Sequence, residues 1–261
     1  MTDLPTAVRE LLELLLPTAC AGCPVGRGQL CPACRGVLVA ARPGPATPSP
    51  APPGLPPVHA AGPYGEPLRG LLLAHKERGA LRLARPLGTL LAGAVRSAAD
   101  GCGPLLLVPV PSTRRSVRAR GHDPMLRLAR AAAAELRRSG RAALVAPALR
   151  QTRRVADQAG LGAADRRRNL HGALVVPPGL RGRLARAGRG RRLVLVDDLV
   201  TSGASLAEAA RALSAAGHPP VAAATVAAVP RRSGRAPGAA ARGGRSGPAP
   251  PLRPGRAAQP G

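Results

Sequence analysis

Helical and extended hydrophobic patterns alternate along the middle of the chain. Apolar residues with helical spacing predict helices at 67–75, 85–99, 125–138 and 206–217. Short apolar runs predict strands at 105–108, 142–145, 173–176, 193–196 and 221–229. Strands that alternate with helices are typical of βαβ units, so we expect an α/β fold with a parallel sheet.

The apolar run 193–196 has no polar residue in alternation, which is typical of a strand buried on both faces. Asp197 and Asp198 follow it directly. Strand side chains point alternately to opposite faces, so either carboxylate inside the sheet would be a costly buried charge. We therefore expect the strand to end at Val196. Both carboxylates should then lie in the crevice beyond the carboxyl ends of the strands, where open α/β sheets bind ligands.

The polar turn 201–205 (TSGAS) follows these acids and opens the predicted helix. Free N–H groups at a helix start favour phosphate, and Gly203 lets the backbone approach an anion. The carboxylates would repel that phosphate, so they should face a ribose diol or a divalent ion instead. Each half alone is more simply a helix cap or a pair of solvated acids. Their combination behind a doubly buried strand favours a ligand site.

The stretch VLVDDLVTSGAS, 194–205, resembles the phosphoribosyl-pyrophosphate motif of type I phosphoribosyltransferases. The wider chain resembles the ComF family, whose members carry an N-terminal zinc-binding segment and are linked to bacterial competence and DNA uptake. Segments 64–79 and 105–121 resemble the opening of the family's transferase domain and its pyrophosphate-binding loop. Four further positions fall at the spacing that follows the family's flexible loop: Gln158, Leu161, Arg166 and Asn169.

The chain departs from the family pattern at three places. Glu77 stands where the family usually has tyrosine, 122–125 reads His-Asp-Pro-Met for the usual Phe-Asn-Gln-Ala, and Val155 replaces an expected threonine. These departures leave the phosphoribosyl-pyrophosphate motif intact. They concern the side of the site that would receive the acceptor.

The resemblance implies a type I phosphoribosyltransferase fold and a role for each part of the motif. Asp197 and Asp198 would be the catalytic pair that holds the ribose hydroxyls, directly or through Mg²⁺. The implied phosphoribosyl-pyrophosphate ligands are Thr201, Ser202, Gly203, Ala204 and Ser205 for the 5′-phosphate, and Pro111, Ser112, Arg114, Arg115 and Lys76 for pyrophosphate, with Arg118 as a further cation. Without the adjoining PVPS loop, this arginine run would be interpreted as a solvated basic face. His75 and His122 are expected to be surface or packing residues, since neither has an orienting partner at a suitable spacing.

Four of the five cysteines form the pattern C-x2-C-x7-C-x2-C: Cys20, Cys23, Cys31 and Cys34. Two CxxC knuckles can present four thiolates to one tetrahedral zinc ion, and Gly26 and Gly28 let the short loop fold back. Disulfides and a redox pair are the alternatives. The sequence shows no secretory signal and no strand ahead of the CxxC, so we favour a closed, structural zinc site. Cys102 stands apart and is expected to be incidental.

The composition is basic and almost free of aromatic residues. The formal net charge is +26, and Tyr64 is the one aromatic side chain. Residues 231–261 carry seven arginines and no acid, and without them the charge is still +19. Such a field attracts nucleic acid or other polyanions without sequence preference. Stacking platforms for bases are missing, so backbone attraction is favoured over base recognition. Compositional bias toward arginine explains part of this charge equally well.

The chain divides by composition into four parts. We expect an N-terminal helix and zinc module (1–40), a semi-rigid linker with eight prolines (41–57), the phosphoribosyltransferase-like domain (58–230) and a disordered basic tail (231–261). The N-terminus is acidic and leucine-rich and does not resemble a signal peptide. No stretch reads as a membrane span, so no membrane partner and a cytoplasmic location are expected.

Three classes of function remain open from the sequence. The first is an active phosphoribosyltransferase with an unknown acceptor. The second is a DNA-uptake accessory protein that binds single-stranded DNA or a helicase partner without turnover. The third is a sensor of phosphoribosyl pyrophosphate. A DNA-binding surface gains nothing from two aspartates in its crevice, which weighs against the second class as a complete account.

Overall fold

The fold is an α/β arrangement, and the computed structural model describes residues 19–101, 103–112, 117–118, 120–152 and 170–230. The helices of this part are α1 (Pro32–Val39), α2 (Leu68–Glu77), α3 (Ala84–Ala98), α4 (Pro124–Arg138), α5 (Pro178–Gly188) and α6 (Ala204–Ser214). The strands are β1 (Gly44–Pro45), β2 (Val58–Pro63), β3 (Leu105–Pro109), β4 (Ala143–Val145), β5 (Arg150–Gln151), β6 (Leu174–Val175), β7 (Arg192–Val200) and β8 (Ala222–Ala228). A 3₁₀ turn, Leu81–Leu83, precedes α3.

Six strands form one sheet in the order β1-β2-β8-β7-β3-β4. All neighbours are parallel except β1, which pairs antiparallel with β2 at the edge. The motif strand β7 lies between β3 and β8, so both of its edges are hydrogen-bonded over most of its length. The predicted α/β class with a mostly parallel sheet is therefore confirmed.

The predicted end of the motif strand at Val196 is wrong, because β7 continues to Val200. Pairing with β3 stops where Pro109 lies opposite Val196, whereas pairing with β8 continues through Asp197 opposite Thr225. The last four residues of β7 therefore have a neighbouring strand on one side only. This one-sided extension keeps the aspartates hydrogen-bonded in the sheet and still leaves an open edge beside them. The sequence argument failed because it assumed that a carboxylate within the strand would be fully buried, whereas Asp197 and Asp198 are only partly buried on this extension.

Apolar side chains cover both faces of the central strands. Leu105 and Leu107 of β3 point into one core, and Leu106 and Val108 point into the other. Helices α3 and α4 pack on the first face, and α6 packs on the second. Each fully buried leucine contributes about 1.5–3 kcal/mol. Small residues compensate for the missing aromatics: a Cβ on Gly88 would lie 2.4 Å from the Ala131 Cβ, so α3 and α4 approach closely.

Several local features differ from the predictions. The strand predicted at 173–176 is shorter and pairs antiparallel with β5 in a separate two-stranded sheet. Glu208 of α6 accepts a hydrogen bond from the Leu174 N–H at 3.0 Å and so anchors β6. Helix α5, strand β2 and the edge strand β1 were not predicted, and β1 arises within the proline-rich segment. Proline is compatible with an edge strand because it donates no ladder hydrogen bond.

Some expectations concern residues outside the described ranges: the N-terminal helix, Cys102 and the basic tail. Within the described ranges, none of the helices has the length and apolar character needed to cross a membrane. The described residues belong to one unit of the chain, which ends at Arg231.

Candidate functional site

A cleft of about 370 Å³ opens where β3 and β7 end, next to α2 and the start of α6. Its polar and charged lining residues are His75, Lys76, Ser112, Arg120, Asp197, Asp198, Thr201 and Ser205. Its apolar lining residues include Leu72, Val110, Met125 and Leu128. This is the edge of the sheet at which open α/β folds bind ligands.

The two aspartates lie on the one-sided extension of β7 and are both partly buried. The Asp198 N–H donates a hydrogen bond to Asp197 Oδ1 at 2.9 Å. Burial and the neighbouring charge of Asp198 raise the pKa of Asp197 well above its ordinary value. Two adjacent carboxylates with this environment need a cation or several hydroxyl donors to stay ionised together.

Lys76 supplies such a cation. It lies near the end of α2, and its Nζ donates to Asp198 Oδ2 at 2.9 Å. Burial alone would lower the pKa of Lys76, but the charges of Asp198 and Asp197 raise it above its ordinary value. Lys76 is therefore a charged group at neutral pH, although its side chain remains 43% exposed.

Helix α6 points its first turn toward the same cleft. Gly203 is the N-cap and has φ +74°, a conformation that side chains with a Cβ rarely adopt. The N-cap residue offers no side-chain hydrogen bond, and the first N–H groups of any α-helix have no intrahelical acceptor. Thr201 and Ser205 line the cleft beside these groups. The turn can thus offer N–H and O–H donors to an anion.

The remaining predicted residues of this turn are placed differently. Ser202, Gly203 and Ala204 are not among the residues that line the cleft, and Gly203 and Ala204 are buried. A Cβ on Gly203 would lie 3.0 Å from Leu55 and 3.1 Å from Pro48. The proline-rich segment therefore packs against the turn and restricts this position to glycine.

Pro111 and Ser112 follow the end of β3 and also line the cleft. The Ser112 hydroxyl donates to Asp123 Oδ1 at 3.1 Å, and the same oxygen accepts from the Leu126 N–H and caps α4. Asp123 therefore links Ser112 to the start of α4. Arg114 and Arg115 lie outside the described residues, as do Gln158, Leu161, Arg166 and Asn169. Arg118 is described but does not line the cleft.

Arg120 is a site residue that the sequence did not single out. Its guanidinium lines the cleft and binds both carboxylate oxygens of Glu77 at 2.8 Å. The pairing joins residues 43 positions apart, so no local sequence pattern could have indicated it.

His75 also lines the cleft and is buried, with 1% of its surface exposed. Its Nε2 lies 3.3 Å from the Pro124 carbonyl oxygen, which can only accept, so the ring proton is assigned to Nε2. Burial lowers the pKa of His75, so the ring is neutral at neutral pH. A neutral, hydrogen-bonded histidine fits the packing role expected from the sequence.

The four cysteines meet in a cluster near the start of the described chain. Their sulfur atoms all lie within 4.8 Å of one another, and Cys23 and Cys31 have sulfur atoms 3.7 Å apart, too far for a disulfide. The Cys31 N–H and the Gly22 N–H donate to the sulfur of Cys20, each at 3.4 Å. Burial alone would raise the pKa of Cys20, but these donors lower it to about 6. The cluster can hold a metal ion such as zinc.

Glycines allow the cluster to fold and to dock on the body. A Cβ on Gly26 would lie 2.6 Å from the Cys31 sulfur. A Cβ on Gly70 of α2 would lie 2.3 Å from the Ala21 carbonyl oxygen, and one on Gly22 would lie 2.9 Å from Pro67. The first knuckle therefore packs directly on α2, the helix that carries Lys76.

The chain was compared with known proteins by family and by sequence. No protein-family model matches it, and no curated protein is significantly similar to it. The description of the fold and of the site therefore uses only the residues of this chain.

Proposed function

We propose that the cleft binds phosphoribosyl pyrophosphate with Mg²⁺ and that the chain transfers the phosphoribosyl group to an acceptor. One observation carries this proposal: Asp197 and Asp198 line the same cleft as Thr201 and Ser205 at the start of α6. A ligand that joins a diol to a phosphate would satisfy both groups at once. The resemblance of 194–205 to the type I phosphoribosyltransferase motif supports the same ligand.

Each side chain has a defined task in this proposal. Asp198 and Asp197 accept hydrogen bonds from the ribose hydroxyls, and the turn at Thr201 and Ser205 donates to the 5′-phosphate. Carboxylate oxygens also suit Mg²⁺, which neutralises part of the pyrophosphate charge when it is bound. Lys76 is released from Asp198 and moves to the pyrophosphate oxygens, with Arg120 close by.

The reaction breaks the bond between ribose C1 and the pyrophosphate oxygen. Pyrophosphate leaves with the bonding electrons, and a nucleophilic nitrogen of the acceptor forms the new bond to C1 and then loses its proton. Positive charge develops on the ribose ring in the transition state and negative charge on the leaving oxygens. Catalysis then depends on placement and electrostatics more than on a protein nucleophile. The aspartates stabilise the ring side, and Lys76 and Arg120 stabilise the leaving group.

Calorimetry with phosphoribosyl pyrophosphate and Mg²⁺ tests the proposal directly. We expect binding by the wild type and a loss of roughly tenfold or more for Asp198→Asn, because a hydrogen bond to a charged group is removed. Asp100→Asn removes an exposed aspartate outside the cleft and serves as the matched control. Undetectable binding by the wild type would eliminate both the transferase and the sensor. Release of pyrophosphate in the presence of candidate acceptors separates these two.

The cysteine cluster is proposed to bind one structural Zn²⁺. Four thiolates close a tetrahedral site and leave no position for a substrate, and the N–H donors to Cys20 stabilise the thiolate form. Metal analysis of the purified chain should give one zinc per molecule. The hypothesis of DNA uptake with a helicase partner remains a prediction from the family resemblance.

A further inference from the structure

A second cleft, of about 480 Å³, lies between the cysteine module and the body of the protein. The module contributes Gln29 and Arg35, the latter on α1, and the 3₁₀ turn contributes Arg82. Arg85 lies in the first turn of α3, and Leu83 and Pro86 complete the wall on that side. The cleft is separate from the proposed transferase site, with which it shares no lining residue.

All charged side chains that line this cleft are positive. Three arginines from three different elements converge on it, and no acidic residue lines it. None of the three forms an ion pair within the described part of the chain, whereas Arg120 and Arg211 are each held by a glutamate. All three arginines are exposed. Their guanidinium groups are therefore open to an external anion.

Gln29 adds an independent feature to the same wall. Its Oε1 is buried and finds no hydrogen-bond partner within the described residues. Amide oxygen and nitrogen are exchanged by a half-turn of the side chain, and that turn would bring two N–H donors to this position. Gln29 thus lines the cleft and carries a polar group without a partner in the described part of the protein.

We propose that this arginine cleft, defined by Gln29, Arg35, Arg82 and Arg85, binds the phosphate groups of a polyphosphorylated ligand. Guanidinium forks match phosphate oxygens in a bidentate manner, and three of them suit a ligand with more than one phosphate. The lining contains no aromatic side chain on which a base could stack. Recognition is therefore of phosphates and not of bases, and a nucleic-acid strand or a free polyphosphate would supply the same chemistry.

The test compares two triple variants of the full chain with equal loss of charge. The cluster variant is Arg35→Gln, Arg82→Gln, Arg85→Gln, and the control is Arg181→Gln, Arg183→Gln, Arg186→Gln on the exposed surface of α5. The probes are a fluorescein-labelled oligothymidylate, followed by anisotropy, and inorganic tripolyphosphate, followed by calorimetry. Both variants retain the transferase cleft and the tail, so these contribute equally to the background.

The cluster variant should bind at least one of the two probes about tenfold or more weakly than the control, and the probe affected identifies the source of the phosphates. For the oligonucleotide, loss of three phosphate contacts should also reduce the slope of log K against log salt by about 2. Equal affinities of the two variants for both probes would overturn the proposal and assign binding to the general positive field. Far-UV circular dichroism confirms that both variants are folded. Retention of phosphoribosyl pyrophosphate binding by the cluster variant separates this result from the transferase proposal.

Discussion

Replacing Lys76 by methionine removes the ammonium group that contacts Asp198 at 2.9 Å. Two unit charges at this distance attract by about 1.4 kcal/mol in water and about 6 kcal/mol at an effective dielectric constant of about 20. The Lys76 side chain is 43% exposed and the Asp198 side chain 19% exposed, so solvent strongly screens the pair. Together with the entropy of ordering a long side chain, this screening reduces the net coupling to ~0.5–1 kcal/mol.

A double-mutant cycle measures this coupling. The four proteins are the wild type, Lys76→Met, Asp198→Asn and the double variant, unfolded by urea at neutral pH. Circular dichroism is the suitable probe, because the chain has no tryptophan and a single tyrosine. Each single change should destabilise the protein, and the double change should cost less than the sum. The difference gives the coupling free energy.

The same cycle at the pair Arg69 and Glu66 is the control. These groups are 3.8 Å apart, and both side chains are more than half exposed, so their coupling should be close to zero. A coupling between Lys76 and Asp198 below about 0.3 kcal/mol, within the error of additivity, would refute the electrostatic account of the cleft. Lys76 would then be free of Asp198 in solution.

Three further changes test other parts of the structure. Gly70→Ala would place a Cβ 2.3 Å from the Ala21 carbonyl oxygen and should lower the free energy of unfolding by ~1–3 kcal/mol. The control Gly36→Ala on α1 meets nothing within 4 Å and should be neutral or stabilising. Equal melting temperatures of the two variants would contradict the packing of the first knuckle on α2. Cys23→Ser should abolish stoichiometric zinc, measured by metal analysis after gel filtration, and full zinc retention would disprove the four-thiolate site. Asp197→Asn should raise the free energy of unfolding at about pH 8, and this gain should shrink as the pH falls, because the folded state binds the Asp197 proton more tightly than the unfolded state does. Urea midpoints of both proteins, measured across pH, test this. A gain in stability that grows toward acidic pH would contradict the raised pKa of Asp197.

The sequence was most informative where a local pattern reports burial directly. The helices predicted at 85–99 and 125–138 correspond within one residue to α3 and α4, since their apolar stripes face a core on one side. The strand at 193–196 was identified because an uninterrupted apolar run indicates burial on both faces. Its extension to Val200 was missed, because it depends on where β3 stops and not on β7 itself.

The site illustrates the same limit of local patterns. The aspartates and the turn that begins at Thr201 directly follow a doubly buried strand, and this local combination brought them into one hypothesis. Arg120 was missed, because its position depends on Glu77, 43 residues away. The hydrogen bond between Lys76 and Asp198 joins residues 122 apart in the sequence. Tertiary contacts of this kind leave no signature in composition or periodicity.

Helix α2 has one consequence that reaches beyond packing. Its Gly70 touches the cysteine knuckle, and six residues further, about 9 Å along the helix axis, Lys76 meets Asp198. Helix α2 therefore connects the cysteine module, which contacts it near its start, to the charged side chain of Lys76 near its end. If the proposed zinc and phosphoribosyl-pyrophosphate sites are correct, removing the metal with a chelator should displace Lys76 and weaken phosphoribosyl-pyrophosphate binding before the sheet unfolds.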